Sequence, residues 1–465
     1  MIRYLFFITF FCVIVTFYAL SNQGGLLGLQ PEENEELSAG SATVFMQSGI
    51  AFGQPAPSLT REQKNAFGVG NTFFNQSWVA AGNTAKGFDG LGPLFNAQSC
   101  SSCHRRDGRA RLPVDDTYPK PGFLMRMSIG NTPEGGPIPD PSYGGQLQDR
   151  AIHGIDAEGD IEISFEYFAG EYPDGTTYEL RKPVYRYASL TQGKIQARHF
   201  SPRIANHLVG MGLLEAIPDQ TLIDLSDPDD LDGDGISGRI NYVPHVEMEN
   251  QLVPGRFGWK ATQPTVRQQV ASAFSGDMGL TSELFPNENC PHSIDCDQLP
   301  NGGNPEVTTS QLNRVTSYVS GLAVPVRRDW SDQSVLRGKA IFRELNCNAC
   351  HVEKLTTGAH AEIEQLSHQV IRPYTDLLLH DMGPDLADNS PDFLATGQEW
   401  RTPPLWGIGL FEKVNGHTNY LHDGRATNLE EAILWHGGEA EQIRDSFKEL
   451  TAEDREALIN FLNSL

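Results

Sequence analysis

Two five-residue stretches constrain this chain more than anything else in it. Cys100-Ser101-Ser102-Cys103-His104 and Cys347-Asn348-Ala349-Cys350-His351 are copies of one pattern, C-x-x-C-H. With 7 cysteines and 13 histidines in 465 residues, one copy is expected by chance roughly 0.003 times per chain, and two far less often. The pattern is the attachment site of a c-type haem. Its two thiols add to the haem vinyl groups, and the adjacent imidazole takes the iron from the proximal side. A redox C-x-x-C pair needs one copy and no following histidine. A zinc site needs four ligands in one short unit, whereas these copies lie roughly 250 residues apart. The reading is therefore two covalent haems, attached through Cys100 and Cys103, and through Cys347 and Cys350. His104 and His351 are the proximal iron ligands.

The remaining cysteines fit an oxidising compartment. Cys290 and Cys296 bound a short loop and read as a local disulfide, with two free thiols or a metal pair including His292 as the alternative. Cys12 lies in a different context. Met1-Ile2-Arg3 carries one positive charge, Tyr4 to Leu20 carries none, and Ala19-x-Ser21 has the spacing of a signal-peptidase site. Residues 1–21 thus read as an export signal or an uncleaved N-terminal anchor, and the rest as a periplasmic protein. Membrane attachment is expected only if that run is uncleaved. The formal charge of -24 argues against a nucleic-acid partner, whose phosphates need basic patches. It suits steering of a basic redox protein instead.

Periodicity divides the remainder. Residues 22–59, rich in Gly, Ser, Gln and Glu, read as a linker. A helical pattern starts after Thr60, a candidate cap. The stretch from about 113 to 200 is rich in Pro and Gly. Ile161, Ile163, Phe165 and Tyr167 alternate there as a strand would, and Pro173-Asp174-Gly175 marks a hairpin turn. Helical patterns return over 203–217, 266–274, 335–345, 429–435 and 452–465. The expected fold is mainly α, with two cytochrome c-like haem units at 60–325 and 326–465. The first would carry a large β-containing, loop-rich insertion. Asp230, Asp232 and Asp234, followed by Gly235, resemble the start of a calcium loop. Asn241 stands where the bidentate Glu belongs, so the set is either a partial calcium site or a plain acidic turn.

With both motifs placed, the chain resembles the bacterial di-haem oxidoreductases grouped as peroxidases, distant relatives of the di-haem cytochrome c peroxidases. The likeness runs from about Gly68 to Leu465. It is carried by stretches such as Gly90-Leu91-Gly92-Pro93-Leu94-Phe95-Asn96, Gly255-Arg256-Phe257-Gly258-Trp259-Lys260-Ala261, Trp400-Arg401-Thr402-Pro403-Pro404-Leu405-Trp406 and Leu421-His422-Asp423-Gly424-Arg425-Ala426. The resemblance implies that one haem relays electrons while the other opens a site where peroxide is cleaved. It implies a Trp between the haems and a Gln and an acid beside the peroxide. Trp259, Gln269 and Asp277 fit that order, with Asp one methylene shorter than the family's Glu.

The resemblance also places the distal ligand of the second haem just after the Leu429-Glu430-Glu431-Ala432-Ile433 stretch. His436 is there, and Met382 is the other candidate. His422 and Arg425 read as propionate anchors. No His lies between His104 and His153. The first haem is then either open or closed by a distant group such as His153, His199, His207 or Met211. The implied function is reduction of hydrogen peroxide at the first haem, with electrons from a small redox protein passing through the second. The alternatives are an electron-transfer cytochrome with two closed haems, or an oxidase acting on a sulfur compound or a protein side chain.

Overall fold

A computed structural model describes residues 29–82, 86–113, 120–290 and 294–465. The signal or anchor segment at 1–21 lies outside them, as do Cys12 and His292. Among the described residues no helix is long and apolar enough to cross a membrane.

The elements that position the site, in chain order, are helix α1 (Arg61–Asn75), strands β1 (Phe123–Ser128), β2 (Asp160–Glu171), β3 (Thr177–Ala188) and β4 (His199–Ile204), and helices α2 (Val266–Met278), α3 (Thr309–Ser320), α4 (Gln333–Glu344), α5 (Leu429–Leu434) and α6 (Ala452–Ser464). Each helix starts where a short polar side chain can satisfy free amides. Thr60 with Gln63, and Thr308 with Gln311, form reciprocal capping boxes on α1 and α3. Thr265, Asp332, Asn428 and Thr451 cap the others.

The fold is not the mainly α one expected from the sequence. It is 31% helix and 19% strand. Among the described residues the strands lie in eight separate two-stranded sheets. Two causes explain the difference. The chain's 46 Gly and 29 Pro stop helices early. Many strands are only two or three residues long, too short to show a period. The pattern over 203–217 illustrates it. Strand β4 runs through Ile204, paired antiparallel with β1, and only Met211–Glu215 is helical.

Two helix crossings are nevertheless built alike. In α1, a Cβ on Gly70 would meet Arg314 O at 2.2 Å and Tyr318 Cβ at 2.7 Å on α3. In α4, a Cβ on Gly338 would meet Ala457 O at 1.9 Å and Phe461 Cβ at 2.7 Å on α6. Four residues after each glycine is a phenylalanine. Phe74 packs on Tyr318 at 5.0 Å and reaches His104 at 6.4 Å. Phe342 packs on Phe461 at 5.2 Å and reaches His351 at 6.3 Å. Each C-x-x-C-H motif therefore rests on one close helix crossing and its aromatic pair.

The two halves share one core. The main hydrophobic cluster draws residues from Ala39 to Leu465. The long hairpin of β2 and β3 covers a smaller cluster with Phe123, Met125, Ile161 and Ile204. Its turn docks on the C-terminal part, where Tyr172 donates to Glu430 at 2.6 Å and Arg455 pairs with Asp174 at 2.6 Å. The stretch expected as a linker also packs inward. Thr43–Val44 pairs with Val324–Pro325. Buried Glu35 pairs with Arg327 and Lys339, and Glu32 takes Lys339, Arg343, Lys354 and Arg372.

Candidate haem cavity

Both C-x-x-C-H motifs open onto one cavity of about 610 Å³. The four motif cysteines form no disulfide and are buried or half-buried. Burial pushes the thiols of Cys100 and Cys347 up to about 12. A thiol active in disulfide exchange is shifted the other way.

Each candidate ligand histidine sets its Nδ1 against a backbone carbonyl. His104 Nδ1 lies 2.6 Å from Asn206 O, and His351 Nδ1 lies 2.9 Å from Tyr374 O. His436, just past α5, directs Nδ1 to Ala432 O at 2.7 Å. A carbonyl on Nδ1 fixes that nitrogen as the donor and leaves Nε2 with its lone pair. Burial lowers the pKa of His104 and His436, and that of His351 to about 4, which favours the neutral rings. His436 and Met382 both line the cavity, and His436 is near enough to His351 to disfavour its protonation.

Trp259, Gln269 and Asp277 also line this cavity. Trp259 is buried and donates from Nε1 to Ile204 O at 2.8 Å. Arg109 lies over its ring at 5.1 Å, and His422 meets it edge-on. Gln269 and Asp277 come from α2, eight residues and about two turns apart. Gln146 Nε2 donates to Asp277 Oδ1 at 3.0 Å. Asp277 also lies close enough to Cys100, Cys103 and His104 for its charge to act on them.

Two expected sites differ in membership. Arg425 is not among the cavity-lining residues. Its guanidinium is taken up by buried Asp423 at 2.9 Å and by Asp385 O at 2.6 Å. Arg109, Arg126, Arg203 and Arg401 line the cavity instead. His422 does line it, stacked on Trp400 at 3.8 Å, with its buried Nε2 making no hydrogen bond among the described residues and lying 3.7 Å from Asp423. In the acidic loop, the carboxylates that gather are Asp227, Asp230 and Asp232. Asp234 turns aside to accept the Ile236 amide at 2.8 Å. Cys290 and Cys296 are joined as a disulfide.

A buried charged cluster beside the second motif was not foreseen. His380 Nε2 lies 2.8 Å from Asp376, its Nδ1 2.6 Å from Glu439, and Cys350 Sγ 3.5 Å away. Burial opposes a charged ring there, yet the Asp376 carboxylate holds its pKa well above the ordinary histidine value. The signal was the Asp376-x-x-x-His380 spacing, easily read as one more candidate ligand. Arg126 was missed too, although one charge inside the apolar run Phe123-Leu124-Met125-Arg126-Met127 is the kind of anomaly that marks a site.

The chain matches the family described as "Di-haem oxidoreductase, putative peroxidase" over residues 33–465. It belongs to that family. A comparison with curated proteins finds no match. The residues of this di-haem oxidoreductase fit a haem pair. Two histidine-bearing motifs face one cavity, and buried polar atoms at its wall, among them His422 Nε2, Arg109 Nε and His207 Nδ1, have no hydrogen-bond partner among the described residues.

Proposed function

We propose that this di-haem oxidoreductase is an exported peroxidase of the cytochrome c peroxidase type. It reduces hydrogen peroxide at the first motif with electrons that a small redox protein delivers through the second. The observation that carries this reading is the single cavity joining both motifs, with Gln269 and Asp277 at its wall and Asp277 close to the first motif.

In this reading Cys100, Cys103, Cys347 and Cys350 hold two covalent haems, and the two sequence halves meet near residue 325. Bound haem iron would supply an open coordination site and store electrons between turnovers. His104 would hold the first iron, and His351 with His436 would hold the second. Trp259 lies in the wall between. The balance is one hydrogen peroxide, two protons and two electrons to two waters, with the O–O bond broken and the donor oxidised. Asp277 takes the proton from the near oxygen and returns it to the far one. Gln269 orients the bound molecule.

The test is stopped-flow absorbance of the fully reduced, haem-loaded protein mixed with hydrogen peroxide. Reoxidation of both haems within seconds, with a high-spin ferric signal, is expected. Little reoxidation and wholly low-spin spectra would replace this reading with an electron carrier.

A further inference from the structure

Arg126 is the one cavity-lining arginine whose guanidinium makes no hydrogen bond among the described residues. Its neighbours are committed. Arg203 is held by Asp392 and Ser201, Arg256 by Asp219, and Arg401 by Gly258 O. The strand register explains why Arg126 faces inward. On β1, Leu124, Arg126 and Ser128 share one face, opposite Arg203, Ser201 and His199 of β4. Phe123 and Met125 point the other way, into the smaller core.

The backbone of Arg126 also bridges to that of Gln146. Gln146 is the residue that holds Asp277 Oδ1. The side chain of Arg126 is close enough to Asp277 for the two charges to interact. Asp392 is the other carboxylate whose charge reaches it, and a cation in a cavity wall with no hydrogen-bond partner among the described residues is costly unless an anion meets it there.

We propose that Arg126 is the anion-receiving group of the peroxide site, holding the hydroperoxide oxyanion against Asp277. This rests on the reading that the first iron is open. The proton balance is direct. Hydrogen peroxide gives one proton to the Asp277 carboxylate and becomes hydroperoxide. Arg126 meets the negative charge, and Asp277 returns the proton to the far oxygen as the O–O bond breaks. A haem propionate offers the same carboxylate-like charge, and the test separates the two.

The experiment titrates the ferric, haem-loaded protein with fluoride at one pH, following the high-spin absorption band. Wild type, Arg126→Ala and Arg126→Lys are compared, with haem content and the Soret band recorded for each. Wild type is expected to bind fluoride. Arg126→Ala should bind it about ten- to a hundredfold more weakly, the usual range for losing a charged hydrogen bond. Arg126→Lys, which keeps the charge, should recover most of the affinity. Equal affinity in wild type and Arg126→Ala overturns the inference. So does unchanged fluoride affinity with haem loss or a displaced Soret band, which would make Arg126 a propionate anchor. No fluoride response in wild type overturns the open-iron reading itself, and the inference with it.

Discussion

Asp277 sits at the end of α2 with one carboxylate oxygen fixed by Gln146 and no hydrogen-bond donor on the other among the described residues. That asymmetry suits a group that must hold a proton briefly and then release it. Asp277→Asn removes the acceptor and keeps the shape. Peroxide cleavage should slow by about 10²- to 10⁴-fold, while the reduced absorption spectrum stays unchanged. Single-turnover reoxidation of the reduced protein measures both. At this scale the sequence was most informative where chemistry is local. The C-x-x-C-H spacing, and the order of Trp259, Gln269 and Asp277, led to residues that line one cavity. That Arg425 pairs with Asp423, two residues away, was not legible, because the sequence does not say which way either side chain faces. Arg126 escaped because its importance comes from what it lacks, a hydrogen-bond partner.

The two glycine crossings make a sharper statement about elements. Gly338 has no room for a side chain, because the Ala457 carbonyl fills the place a Cβ would occupy. Gly338→Ala should force α4 and α6 apart and cost about 2–3 kcal/mol or more, read as a lower denaturation midpoint. The separation of Phe342 from Phe461 would loosen the wall behind His351. Helix starts were legible in advance, since Thr60 is a cap on the page and in the fold. The hairpin turn at Pro173-Asp174-Gly175 was legible for the same reason, local turn chemistry. What the hairpin packs against was not. Tyr172 and Asp174 bind Glu430 and Arg455, more than 250 residues away in sequence, and no local pattern encodes such a meeting.

For the whole molecule, stability against pH carries the mark of a buried carboxyl. Glu158 is 1% exposed and accepts the Gln148 amide at 2.7 Å. Burial raises its pKa from 4.5 to about 8. Between those values the folded protein holds a proton that the unfolded chain releases. This contribution to stability therefore falls as pH rises from 4.5 to 8, and the cost is complete above 8. Glu158→Gln removes the charge that must be neutralised. It should gain on the order of 5 kcal/mol at pH 9 relative to wild type and little at pH 4, seen by comparing thermal midpoints at the two pH values.

The same scale explains the misjudged fold class. Single-residue patterns reported two haem-binding regions. The merging of both into one core, strapped by residues 29–59 and by the long hairpin, depends on contacts between distant segments.

The enclosure of the shared cavity has a consequence for how the protein is made. Its wall is assembled from β1, α2 and segments beyond residue 380, so it closes only after nearly the whole chain is in place. Cys103 is by then 7% exposed. On the covalent reading, thioether formation has to come first, on an open chain that a maturation enzyme can reach, and folding then proceeds around groups already attached. The prosthetic groups would act as a template for the interior, and a chain that collapsed without them would have shut out its own completion.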